Sequence, residues 1–192
     1  MTATLRRAAF LDRDGVINID SAYLSRWEDF RFVPGSVEAM RRLQQAGYAL
    51  VVVTNQSGIA RGYYSEHDYQ LLTRQMRTAL QAQGVTLAGV YHCPHHPAGK
   101  VPELAVDCAC RKPAPGMILQ AARELQLDLP HSLLVGDKES DLQAARAAGV
   151  GRAYLVHSGH PLTGESQQQA DQVFDNLRAC AEFLLGSPQG LV

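Results

Sequence analysis

The 192-residue chain has no run of about 18 apolar residues, so the sequence encodes no helix that could span a bilayer. It has almost no net charge. Eighteen basic residues meet 19 acidic ones, a balance of −1, which excludes the strong field that draws a protein to nucleic acid or anionic lipid. Aromatic residues are few, at 7%, and form no basic stripe on which bases could stack. The stretch MTATLRRAAFLDRDG has two arginines, but Asp12 ends its apolar run after four residues. That is too short for the apolar segment of a secretion signal. The expectation is a soluble, cytoplasmic protein with no nucleic-acid or membrane partner, and a monomer by default. Internal repeats and low-complexity tracts are missing, and one domain over residues 1–192 suits the length. Two chemistries are excluded by absent motifs. There is no Gly-x4-Gly-Lys-Ser/Thr loop, and no cysteine is followed six positions later by arginine.

What the chain does have is an alternation of short apolar runs with helical patterns. Strands are expected at 8–11, 48–54, 89–92, 132–135 and 152–156. The second, YALVVVT, is β-branched and continuous, as a strand buried on both faces should be. Helices are expected at 36–46, 65–83, 115–125, 140–148 and 176–185, the second opened by a capping box at Ser65. This order predicts an α/β fold: a doubly wound parallel sheet covered on both faces. Residues 157–172 are polar and turn-rich and read as a surface loop.

In such sheets ligands bind beyond the carboxyl ends of the strands. Asp12 and Asp14 follow the first strand directly, a costly place for two carboxylates unless a positive group lies between or beside them. Mg²⁺, which prefers oxygen ligands, would serve. An ordinary Asp-Gly turn is the plain alternative. A calcium-binding loop would need an oxygen ligand at Val16 and glycine at Ile17. Thr54-Asn55-Gln56-Ser57-Gly58 ends the second strand with a hydroxyl, free N–H groups and a glycine, which suit a phosphate or simply a turn. Arg111-Lys112 offers a fork and a point charge for anionic oxygens, or a solvated basic pair. Asp137 follows another strand, with Lys138 next to it and Asp141 one helical turn on; acids also gather at helix N-termini for the dipole's sake. Each plain alternative is respectable singly. Together, all at strand ends on one rim, the four patches make a kit for phosphoryl transfer through a carboxylate.

The segments FLDRDGVIN, VVVTNQSGIARG, CRKPAPGM and VGDKESDLQAA resemble, in order and spacing, the four motifs of the haloacid dehalogenase-like phosphatases. Residues 93–110 resemble the zinc loop of a subgroup that holds the heptose-bisphosphate and histidinol-phosphate phosphatases. The likeness implies a fold of that superfamily without a large cap domain. It implies that Asp12 is the nucleophile that becomes an aspartyl-phosphate. Asp14 would give a proton to the leaving oxygen and later take one from water, which calls for a raised pKa. Mg²⁺ would be held by Asp12, Asp137 and the Asp14 carbonyl. Thr54 and the Asn55 N–H would bind phosphoryl oxygens, Lys112 would neutralise them, and Lys138 and Asp141 would support the cluster. Asp20, Ser21, Ala22, Tyr23, Gln56 and Ser57 align with sugar-contacting segments, and Arg111 would hold the distal part of the sugar phosphate. The implied substrate is a heptose 1,7-bisphosphate that loses its C7 phosphate on the route to ADP-heptose and lipopolysaccharide core; histidinol phosphate is the nearest rival. The chain departs from the pattern at Ser21-Ala22, where a bulkier polar residue and then glycine are expected before Tyr23. A non-enzymatic zinc module that binds nucleic acid is a remote alternative, opposed by the charge balance.

Cysteine is scarce, at four residues, yet three of them lie within 92–112. In a reducing compartment such crowding favours metal over disulfide. Cys93-x-His95 and Cys108-x-Cys110, with twelve residues between the pairs, suit a closed tetrahedral Zn²⁺ site that leaves no position for catalytic water. His92 and His96 compete with His95; the resemblance places the ligand at His95. Cys180, in the last expected helix, reads as a small core residue. Because Cys110 immediately precedes Arg111 and Lys112, a clamped loop would aim both cations at the site.

Overall fold

The computed structural model describes residues 5–186, so the outer ends of the expected 1–192 domain lie outside the described residues. Six strands, β1 (Ala8–Leu11), β2 (Ala49–Asn55), β3 (Leu87–Cys93), β4 (Leu133–Gly136), β5 (Arg152–Val156) and β6 (Gln172–Phe174), form one sheet in the order β3-β2-β1-β4-β5-β6. Every pairing is parallel. The doubly wound expectation holds.

Successive side chains of a strand point to opposite faces, so a strand covered on both sides must be apolar throughout. The neighbouring inner strands β1 and β2 obey this. Ala9 and Leu11 of β1, with Leu50 and Val52 of β2, enter one core; Ala8, Phe10, Val51 and Val53 enter the other. The first core is covered by α1 (Ser36–Gln45), α2 (Glu66–Gln81) and α6 (Leu177–Leu185), through residues such as Met40, Leu43, Leu72, Met76 and Leu177. The second is covered by α3 (Gly116–Leu125) and α4 (Glu139–Ala148), through Met117, Ile118 and Leu142. Ser65 opens α2 as expected: its hydroxyl accepts the Asp68 N–H at 3.1 Å, and the Asp68 carboxylate accepts the Ser65 N–H at 2.8 Å. Among the described residues no helix is long and apolar enough to cross a membrane.

One expectation fails. Residues 157–172 are not a plain loop. They contain α5 (Gly164–Gln169), capped by Thr163, whose hydroxyl accepts the Ser166 N–H at 3.1 Å, and they reach the first residue of β6. A six-residue polar helix and a three-residue edge strand carry too few apolar positions to show a period.

The topology fixes the site. β1 lies between β2 and β4, with Leu11 in register with Val52 on one side and Val135 on the other. This is where the sheet's winding reverses, and ligands of such sheets bind there. Asp12, Thr54 and Asp137 therefore emerge side by side on one rim.

Candidate active site

The acids at this rim are held, not loose. Asp12, only 5% exposed, accepts the N–H of Arg13 at 2.8 Å and lies 3.1 Å from Lys112 Nζ. Lys112 Nζ also meets Asp141 Oδ1 at 2.6 Å and donates to the Val53 carbonyl at 2.8 Å. The other oxygen of Asp141 accepts the backbone N–H groups of Asp137 and Lys138, at 3.2 and 3.0 Å. Asp141 thus ties the turn after β4 to the lysine. Burial works against the Lys112 charge, but Asp12 and Asp141 outweigh it, and the ammonium is held well above its usual range. Burial pushes the Asp12 carboxyl up, with Lys112 pulling it back.

Lys112 reaches the rim through the loop and not directly from a strand end. Its strand, β3, ends at Cys93, and the chain runs through the cysteine-bearing loop before delivering Arg111 and Lys112 to the rim. Asn55, at the end of β2, receives it. The Asn55 side chain donates to the Lys112 carbonyl and accepts the Lys112 N–H, both at 3.0 Å. Asn55→Ala strips both bonds from a half-buried backbone and is expected to cost about 1–3 kcal/mol of stability, with a loss of activity larger than that of the surface change Gln70→Ala. Thermal and urea melts with steady-state rates check this.

Asp14 differs from the expectation. Arg13, which is 1% exposed, grips its carboxylate with Nε at 3.2 Å and Nη2 at 2.9 Å to each oxygen. Asn18 Nδ2 and Gln56 Nε2 add bonds at 2.9 and 3.1 Å. Burial alone would raise the pKa, but the Arg13 charge and these bonds prevail and hold the carboxyl below its ordinary range. Arg13 is a residue that the sequence reading passed over, although it stands between the two acids. Gln56 reaches inward as well: its amide donates to Thr54 Oγ1 at 2.9 Å and accepts from Tyr64 Oη at 2.6 Å.

Above this floor lies a cleft of about 230 Å³, lined by Asp14, Asp20, Tyr23, Ser57, Lys138 and His160, among others. Gln56, Asn55 and Ala22 also reach it; Ser21 lines a neighbouring recess instead. Arg111 is not in its wall; it donates to the His95 carbonyl at 3.3 Å. Ala22 and Tyr23 have φ of 53° and 54°, the left-handed region that favours glycine. Ala22 is the position where the resemblance implies glycine, so the departure in sequence falls on a backbone that glycine would adopt without strain. Tyr23 stands edge-on to Tyr63, ring centroids 4.5 Å apart, at the mouth.

The donor set fits a divalent cation. Asp12, Asp137 and Asp141 each bring a carboxylate oxygen within 4.8 Å of the others. Among the described residues, the buried Oδ1 atoms of Asp137 and Asp141 have no hydrogen-bond donor beyond the ion pair of Asp141 with Lys112, so of these two Asp137 Oδ1 alone is left bare. Three acids against one fully buried ammonium leave a negative excess, which a buried site must neutralise.

The cysteine loop forms a second donor set. The Sγ atoms of Cys93, Cys108 and Cys110 lie 3.1–3.5 Å apart, and His95 Nδ1 lies 3.6 and 3.3 Å from those of Cys93 and Cys110. These separations exceed the ~2.05 Å of a disulfide. They approach the ~3.8 Å edge of a tetrahedron built on bonds of ~2.3 Å. His92 is taken by Glu66 at 3.0 Å and His96 by Arg61 at 3.0 Å, which leaves His95.

A buried acid pair opening a doubly wound sheet, opposed by a lysine and answered by a third acid from the neighbouring strand, is the frame of a haloacid dehalogenase-type phosphohydrolase. A family model described as HAD-hyrolase-like matches residues 109–180. The chain is 49% identical over 170 residues to D-glycero-beta-D-manno-heptose-1,7-bisphosphate 7-phosphatase of Yersinia pestis, covering 88% of this chain and 90% of that one. It is 49% identical over 164 residues to D-glycero-alpha-D-manno-heptose-1,7-bisphosphate 7-phosphatase of Photorhabdus laumondii, covering 85% and 89%. Its structure resembles that of D,D-heptose 1,7-bisphosphate phosphatase from B. bronchiseptica complexed with magnesium and phosphate, with a TM-score of 0.79 and 36% identity over 95% of this chain and 99% of that one. The chain belongs to the D-glycero-D-manno-heptose-1,7-bisphosphate 7-phosphatase family of HAD-like phosphatases.

Proposed function

We propose that this phosphatase removes the C7 phosphate of D-glycero-D-manno-heptose 1,7-bisphosphate in the cytoplasm, on the route to ADP-heptose. The observation that carries the reading is the contact of Asp12 with Lys112 at 3.1 Å beside the unpartnered Oδ1 of Asp137, in a chain about half identical to enzymes named for this reaction. Asp12, Asp137 and the Asp14 carbonyl hold Mg²⁺, which when bound screens the negative charge of the phosphate from the attacking carboxylate.

An Asp12 carboxylate oxygen attacks phosphorus. The new Asp–O–P bond forms as the bond from phosphorus to the C7 oxygen breaks, and that oxygen leaves with a proton from Asp14. Water then attacks phosphorus, Asp14 takes its proton, and the Asp–O–P bond breaks to give inorganic phosphate and free Asp12. Asp14 lines the cleft and faces the leaving oxygen; at rest Arg13 keeps it ionised. The charge of a bound phosphate opposes that state and favours the protonated form that the first step uses. Thr54, the Asn55 N–H and Lys112 take the phosphoryl oxygens, with Lys138 supporting them. Asp20, Ser21, Ala22, Tyr23, Gln56 and Ser57 form the sugar side, and Arg111 takes the distal phosphate when it swings from His95. Cys93, His95, Cys108 and Cys110 hold a structural Zn²⁺.

A specificity profile tests the substrate. Both anomers of the heptose 1,7-bisphosphate and histidinol phosphate are compared by kcat/KM. The better anomer is expected to exceed histidinol phosphate by at least about 100-fold, the scale of discrimination from several differing polar contacts. The reverse order would assign the chain to the histidinol-phosphate reaction. Because relatives are named for either anomer, the same profile assigns that preference.

A further inference from the structure

Asp137 is fully buried, and its carboxylate is gripped on one oxygen only. Oδ2 accepts the His160 backbone N–H at 2.9 Å and lies 2.7 Å from His160 Nδ1. A carboxylate that ligates a cation is ionised and only accepts, so in that form Nδ1 is the donor. Oδ1 has no partner.

The grip comes from the segment just after β5. Ser158 Oγ donates to the Gly15 carbonyl at 2.7 Å, which ties the segment to the turn that bears Asp12 and Asp14. Gly159 sits so close that a Cβ there would fall 2.1 Å from Asp137 Oδ2. A Cβ on Gly15 would fall 2.5 Å from the same oxygen. Two glycines thus let two backbones close on one carboxylate. His160 stays 45% exposed at the cleft, its Nδ1 3.4 Å from Asp20 Oδ2.

We propose that His160 is a positioning residue for the metal: it fixes the Asp137 carboxylate so that Oδ1 faces the divalent cation. This rests on the reading of Asp137 as a Mg²⁺ ligand. A carboxylate already locked in one rotamer loses no rotational freedom on ligation, and hydrogen bonds behind a ligand commonly change metal affinity by about 10–100-fold. The doubled hydrogen bond on Oδ2, with the other oxygen left bare, is the arrangement this role requires.

Mn²⁺ binding, followed by the electron paramagnetic resonance of the free ion, tests the proposal on the zinc-loaded protein freed of Mg²⁺ by dialysis. His160→Ala is expected to bind Mn²⁺ about 10-fold more weakly. His160→Asn, which keeps a donor where Nδ1 stands, is expected to restore affinity, and His160→Gln, whose donor lies farther out, is not. Should His160→Ala fail to fold, the contrast between His160→Asn and His160→Gln decides alone. At saturating Mg²⁺ the kcat of His160→Gln recovers, so the defect lies in the Mg²⁺ concentration needed. Unchanged Mn²⁺ affinity in His160→Ala and His160→Gln, with Asp137→Asn impaired, would overturn the positioning role and leave the ligand reading intact. Equal weakening in the Asn and Gln variants would overturn it too. Full Mn²⁺ affinity in Asp137→Asn would instead overturn the ligand reading.

Discussion

Asp12→Asn is expected to lower turnover by at least about 10,000-fold while the protein stays folded. The amide matches the carboxylate in size but has no charge with which to attack phosphorus. The fold survives because Lys112 keeps Asp141 at 2.6 Å and the Val53 carbonyl at 2.8 Å, so no buried cation is orphaned. Losing one of two acidic partners inside a set with excess negative charge changes stability far less than losing the lysine would. Steady-state kinetics and thermal melting on freshly purified protein check both halves. Robust turnover in the variant would remove Asp12 from the chemistry.

Stripping Zn²⁺ from the cysteine loop is expected to cut activity by about 10–100-fold and to lower the melting temperature. Between Cys93, the last residue of β3, and Lys112, the loop has one short 3₁₀ turn at Pro102–Leu104 and few apolar side chains in the cores. Four donors from its two ends meet in one cluster. Without a cation, burial pushes the Cys93 and Cys110 thiols up, while at Cys108 hydrogen bonds outweigh burial and hold the thiol down, and no metal bond ties the two ends of the loop together. The next residues in the chain are Arg111 and Lys112, and a loosened loop moves both. Asn55 still holds the Lys112 backbone through two hydrogen bonds, which keeps the expected loss well short of that in Asp12→Asn. The assay uses a chelator selective for soft metals in excess Mg²⁺, with metal analysis before and after and recovery on adding Zn²⁺. Full turnover in zinc-free protein would show that the loop does not aim Lys112.

Much of this was legible because burial on both faces leaves a strong pattern. β1 and β2 read as strands since each side chain has to be apolar, and acids directly after such strands stand out against their cost. Lys112 was legible as a charge delivered by the loop after Cys110, but the two Asn55 hydrogen bonds that seat its backbone were not, because a loop's contacts are long-range. His160 was hidden for a related reason. Its segment is polar and short, and only the closing of Gly159 and Gly15 on Asp137 makes it part of the site. Asp14 misled in another way. The acid-then-base role that the resemblance implies called for a raised pKa, and the bidentate hold of Arg13 reverses the sign. The arginine was visible in Asp12-Arg13-Asp14, but neighbours in sequence on a turn need not pair, and their geometry had to be seen.

The most direct measurement is to quench the enzyme with borohydride during turnover of its bisphosphate substrate and to map the reduced residue by mass spectrometry. An acyl phosphate on Asp12 is reduced to homoserine, so the peptide spanning residues 8–14 should carry homoserine at position 12 only when substrate is present. Homoserine at another carboxylate, or none while phosphate is released in the same sample, would contradict the account.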